Sequence, residues 1–169
     1  INKKKTKDVL LSYKERLTMC NILFKNLLSE DIMISQLEST LPSPNYTVDT
    51  LRVIQKEYPS LKVALMVGRD QFESFHLWKD PHEILKTVSL VVVNRETLRK
   101  ENKQEKTLKD LTNHIANKLN FTITFDTQNR AKIKETKTHI YLIDKTMSPA
   151  ESTTIREMVI SGKKLPKGW

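Results

Sequence analysis

Four short groups of residues carry side chains able to bind a nucleotide. The first joins Tyr46-Thr47, in a proline-rich turn, with Trp78, whose ring could close over a flat heterocycle; a tryptophan beside apolar Leu77 is more often a core residue. The second is Gly68-Arg69-Asp70. A glycine there lets a ligand approach the backbone and an aspartate can accept the hydroxyls of a ribose, although a turn followed by a helix cap has the same composition. The third is Arg95, able to stack on a base or pair with a phosphate, or else to sit as a solvated loop arginine. The fourth is Ser152-Thr153-Thr154-Ile155-Arg156. Hydroxyls and unpaired N–H groups at a helix start, with a guanidinium one turn on, suit a phosphate, and a plain N-cap with a solvated arginine fits the same residues.

These groups need elements to hold them. Leu17, Ile22, Leu23, Leu27 and Leu28 predict an amphipathic helix over 12–28, with Ser12 as N-cap. Asn45 or Thr47 is a candidate cap for a second helix, running through Leu51 and Ile54 to about Tyr58 and ended by Pro59-Ser60. Residues 61–67 and 87–93 are nearly continuous apolar runs, the pattern of strands buried on both faces of a parallel sheet. Short helical pieces over 70–77 and 80–86 lie between them and make a right-handed strand, helix, strand unit. A helix over 108–119, strands over 121–125 and 139–143, and a last helix over 152–161 stopped by Gly162 complete the reading, with 94–106 and 128–137 left as charged or polar connections. In an open parallel sheet ligands bind beyond the carboxyl ends of the strands, and Gly68, Asp70, Arg95 and the group around Ser152 each follow a predicted strand.

Length predicts a single domain over 1–169, and 38% apolar with 29% charged residues predicts a folded chain. No apolar run approaches a membrane span, so a cytoplasmic protein with no membrane partner is expected. The lone Cys20 excludes an internal disulfide, and the scattered histidines form no zinc-ligand spacing, so no protein-held metal is expected. The net charge of +9 suits a polyanion, whether a phosphorylated small molecule or nucleic acid. The scarcity of aromatic residues on the predicted strands weighs against nucleic acid, because single-strand recognition needs stacking platforms. Nothing in the composition decides the oligomeric state, and a homo-oligomer is compatible with it.

Taken in order, Asn45-Tyr46-Thr47-Val48-Asp49-Thr50-Leu51, Val67-Gly68-Arg69-Asp70, Trp78, Val91-Val92-Val93-Asn94-Arg95 and Ser152-Thr153-Thr154-Ile155-Arg156 closely resemble the nicotinate mononucleotide adenylyltransferase family. Lys5 and Arg16-Leu17-Thr18-Met19 resemble further elements of it, and residues 97–137 fall outside the resemblance. The resemblance implies a Rossmann-like α/β fold of the nucleotidyltransferase type, a parallel sheet with helices on both faces. It implies transfer of AMP from ATP to nicotinate mononucleotide, with Mg²⁺ on the phosphates, in NAD synthesis. On that footing Tyr46, Thr47 and Trp78 would hold nicotinate mononucleotide, Gly68 and Asp70 ribose, Arg95 adenine, and Lys5, Ser152, Thr153 and Arg156 the ATP phosphates. The family's first strand, with its Gly-x-Phe-Asp-Pro and His-x-Gly-His motifs, has no counterpart in the chain, which leaves its catalytic residues unassigned. Glu151 stands where the family usually has serine. An N-terminally incomplete enzyme, inactive as this chain alone, is the resulting expectation. A nucleotide-binding relative without turnover and a basic RNA-binding protein are the alternatives.

Overall fold

The computed structural model describes residues 11–94 and 107–144. The chain divides into two compact units, Ile1–Ser60 and Leu61–Trp169.

In the first unit Ser12 caps α1 (Tyr13–Phe24) through a reciprocal pair: its hydroxyl accepts from the Glu15 N–H at 3.3 Å and its own N–H donates to the Glu15 carboxylate at 2.6 Å. Those hydrogen bonds hold the Glu15 carboxyl below its ordinary value of 4.5. The expected helix is therefore present, ending at Phe24. The expected buried stripe is not, since α1 has no buried residue and Ile22 and Leu23 are exposed. At 100° per residue Met19, Ile22 and Leu23 lie on one side of the helix and Tyr13, Leu17 and Phe24 on the opposite side, so no single apolar stripe forms. After the short α2 (Leu37–Thr40), the Asn45 side chain donates to the Glu38 carbonyl at 2.7 Å and fastens the Pro-rich turn. Helix α3 (Thr47–Glu57) has Tyr46 as its N-cap with no side-chain bond. Neither expected cap serves, because Asn45 is committed to Glu38 and Thr47 is already helical. Val48 and Leu51 are the buried residues of α3.

The second unit is built on a five-stranded sheet in the order β1-β2-β5-β4-β3, with β1 (Ala64–Gly68), β2 (Ser89–Val93), β3 (Ile123–Thr127), β4 (Arg130–Ile133) and β5 (His139–Ile143). β1, β2 and β5 run parallel, and β4 and β3 add antiparallel strands on the far side. Two rows of one face, Leu65–Leu90–Ile140–Ala131 and Val67–Val92–Leu142, carry the core: Leu90, Val92 and Ala131 are fully buried. Between them runs the row Met66–Val91–Tyr141–Arg130, with Met66 and Tyr141 exposed. β1 is thus an edge strand among the described residues, whereas its apolar run predicted burial on both faces.

Helix α4 (Arg69–Glu73), a 3₁₀ turn (Phe75–Leu77) and α5 (Pro81–Thr87) make the expected crossover from β1 to β2, burying Phe72, Phe75, Ile84 and Leu85. Helix α6 (Leu108–Lys118) buries Leu108, Leu111, Thr112, Ile115 and Ala116, the i, i+3, i+4 set of one face. It opens with a second reciprocal cap, Thr107 with Asp110, and closes when Asn120 turns left-handed and the Phe121 N–H donates back to the Ala116 carbonyl at 2.9 Å. β4 forms inside the stretch expected to be a polar connection. Arg130, Lys132 and the buried Ala131 and Ile133 alternate over only four residues, too short a period-2 signal to stand out among charges. The Arg130 guanidinium chelates Asp126 across the β3–β4 turn at 2.8–2.9 Å and holds the Asp126 carboxyl below its ordinary value of 3.8. The last expected strand, 139–143, matches β5 residue for residue. The helix expected over 152–161 lies outside the described residues.

Candidate functional site

The carboxyl ends of the parallel strands gather three features. Gly68 ends β1 with extended backbone (φ −73°, ψ 157°) and is the N-cap of α4. Arg69 and Asp70 therefore fall in the first turn of α4, and Asp70 is exposed. The Arg69 side chain is only 13% exposed, and its guanidinium donates to Glu73 at 3.3 Å. It is a partnered cation.

The second feature continues along the same chain. Phe72 and Phe75, both fully buried, anchor α4 and the 3₁₀ turn that leads to Trp78. The Trp78 N–H donates to the Phe75 carbonyl at 3.0 Å, and its ring lies 5.2 Å from the Phe75 ring at 50°. Trp78 is half-buried, neither a core residue nor a free surface one. Next, Asp80 adopts left-handed backbone (φ 48°, ψ 52°), which redirects the chain into α5 with Pro81 at its start. One continuous segment thus holds Gly68, Asp70 and Trp78.

The third feature is a pair that the sequence reading did not single out. Asn94, just beyond β2, donates through its side-chain amide to the Asp144 carboxylate at 2.7 Å, and through its N–H to the Ile143 carbonyl at 2.8 Å. Both residues follow apolar strands, but only the parallel pairing of β2 with β5 makes them neighbours. Tyr46 and Thr47 are half-buried at the start of α3 in the first unit. Lys5, Arg95, Ser152, Thr153 and Arg156, with Glu151, lie outside the described residues.

A family model described as cytidylyltransferase-like matches residues 1–158. The chain belongs to the cytidylyltransferase-like family. Within that family it is similar to several curated proteins named "Probable nicotinate-nucleotide adenylyltransferase", which bears out the resemblance read from its motifs. The Flavobacterium psychrophilum protein is 38% identical over 97 residues, covering 56% of this chain and 48% of that relative. The Porphyromonas gingivalis protein is 34% identical over 97 residues, covering 56% and 47%. The chain spans about half the length of these relatives. The Borreliella burgdorferi protein aligns over 155 residues at 27% identity, 92% of this chain and 62% of the relative. Among solved structures, the chain superposes on Plasmodium falciparum nicotinic acid mononucleotide adenylyltransferase complexed with APC. The TM-score is 0.58 at 16% identity, covering 91% of this chain and 65% of that one. That likeness establishes the nucleotidyltransferase α/β fold. No helix among the described residues is long and apolar enough to cross a membrane.

Proposed function

We propose that the protein containing this chain transfers AMP from ATP to nicotinate mononucleotide, forming deamido-NAD and releasing pyrophosphate. The observation that carries this reading is the single segment from Gly68 to Trp78. It starts at the carboxyl end of a parallel strand, where mononucleotides bind in such sheets, and ends on a half-buried indole. The names of the curated relatives point to the same reaction.

In this reading the Trp78 ring stacks on the nicotinate, Tyr46 and Thr47 hold it and its carboxylate, and Gly68 and Asp70 receive a ribose. Arg95 lies near adenine. Lys5, Ser152, Thr153 and Arg156 grip the triphosphate. Mg²⁺ brought in with the ATP would supply positive charge opposite that growing on the departing pyrophosphate. Among the described residues no three His, Cys, Asp or Glu side chains converge on one point. The mononucleotide phosphate oxygen bonds to the α-phosphorus of ATP as the bond to pyrophosphate breaks. The protein has no covalent step to perform. It aligns the two nucleotides and offsets their charge.

The test is pyrophosphate release with ATP, Mg²⁺ and nicotinate mononucleotide, run on this polypeptide and on the product of its complete reading frame. Pyrophosphate release that requires both nucleotides is expected. Silence in both polypeptides would leave a nucleotide-binding relative without turnover or an RNA-binding protein. RNA binding that falls steeply with salt and resists displacement by ATP would identify the latter.

A further inference from the structure

His76 carries a polar atom that the fold leaves unsatisfied. Among the described residues its Nδ1 is buried with no hydrogen-bond partner. Its other nitrogen, Nε2, lies 3.1 Å from the Lys118 ammonium. A lysine ammonium only donates, so Nε2 accepts and the ring hydrogen sits on Nδ1, where it meets no acceptor. A buried donor in that state costs stability, and an apolar side chain of similar size would avoid the cost. What the histidine supplies, and a leucine would not, is the contact to Lys118.

That contact links two elements. Lys118 is the last residue of α6, and His76 is the middle residue of the 3₁₀ turn that delivers Trp78. Phe75 pins the turn from the core side, packed between Phe72 at 6.1 Å and Trp78 at 5.2 Å. The bond to Lys118 pins it from the solvent side. Loss of the Lys118 contact leaves the turn held by Phe75 and by its own backbone hydrogen bonds.

We infer that His76 and Lys118 are positioning residues for Trp78, holding its indole in the orientation that receives the flat ring of the mononucleotide. The assignment of the ring's partner rests on the proposed function; the positioning of Trp78 does not. The test uses the product of the complete reading frame with Trp78 as the only tryptophan kept. Lys118→Met removes the ammonium and keeps most of the side-chain length. Without ligand, its Trp78 emission is expected to move to the red and its anisotropy to fall. With ligands, the KM for nicotinate mononucleotide is expected to rise about three- to tenfold while kcat and the KM for ATP change by less than about twofold. His76→Leu should behave like Lys118→Met, and His76→Gln, whose carbonyl can accept from Lys118, should restore both signals. Unchanged emission in Lys118→Met, equal effects on both KM values, or identical behaviour of the Leu and Gln variants would overturn the inference. Failure of the parent protein to use nicotinate mononucleotide would instead defeat the proposed function, and the ligand-free emission would still decide whether the pair positions Trp78.

Discussion

Asn94 and Asp144 clasp each other across the carboxyl ends of β2 and β5, side chain to side chain at 2.7 Å, with the Asn94 N–H reinforcing the join at the Ile143 carbonyl. The clasp fixes the point from which the chain departs toward Arg95. Asn94→Ala is accordingly expected to raise the KM for ATP about three- to tenfold, the worth of one solvent-exposed hydrogen bond, with a smaller effect on the mononucleotide. Asp144→Asn, which can still accept from Asn94, should lie close to the parent. Steady-state kinetics with each nucleotide varied in turn would check this, and a larger effect on the mononucleotide would contradict it.

Trp78→Ala should weaken mononucleotide binding far more than ATP binding. Removing a stacking partner costs about 1–3 kcal/mol, roughly five- to 150-fold in affinity. Calorimetric titration with each ligand separates the two, and equal losses would count against ring stacking.

Asp80 and Asn120 both sit at positive φ, 48° and 53°. Aspartate and asparagine tolerate this region, and β-branched residues do not. Asn120→Val should destabilise the second unit by about 1–2 kcal/mol by straining the turn that ends α6, while Asn120→Gly should be neutral or stabilising by up to about 1 kcal/mol. Urea unfolding of the two variants should rank them in that order on either side of the parent.

Glu135 reaches back to accept the Thr122 N–H with both carboxylate oxygens, at 2.9 and 3.1 Å. This holds its carboxyl below the ordinary value of 4.5. A group whose pKa is lower folded than unfolded contributes stability that is complete above the unfolded value and disappears as pH falls through the folded one. The parent protein should therefore lose thermal stability as pH drops below about 4.5, and Glu135→Gln should show a shallower loss over the same range. Parallel slopes for the two proteins would rule out a linkage through this residue.

The sequence by itself determined the parts that depend on local chemistry. Apolar runs marked β1, β2 and β5, one-sided periodicity marked α6, and Ser12 marked the start of α1, because caps and periodicities are set by neighbours along the chain. The order of Tyr46-Thr47, Gly68-x-Asp70 and Trp78 disclosed the family before any geometry was known. Tertiary structure decided which strand lies at an edge among the described residues and that the polar stretch around Arg130 pairs as β4. It also decided the meetings of Asn94 with Asp144 and of His76 with Lys118. Those contacts join residues tens of positions apart, brought together by strand order and helix packing, and no local pattern in a single sequence encodes such distances.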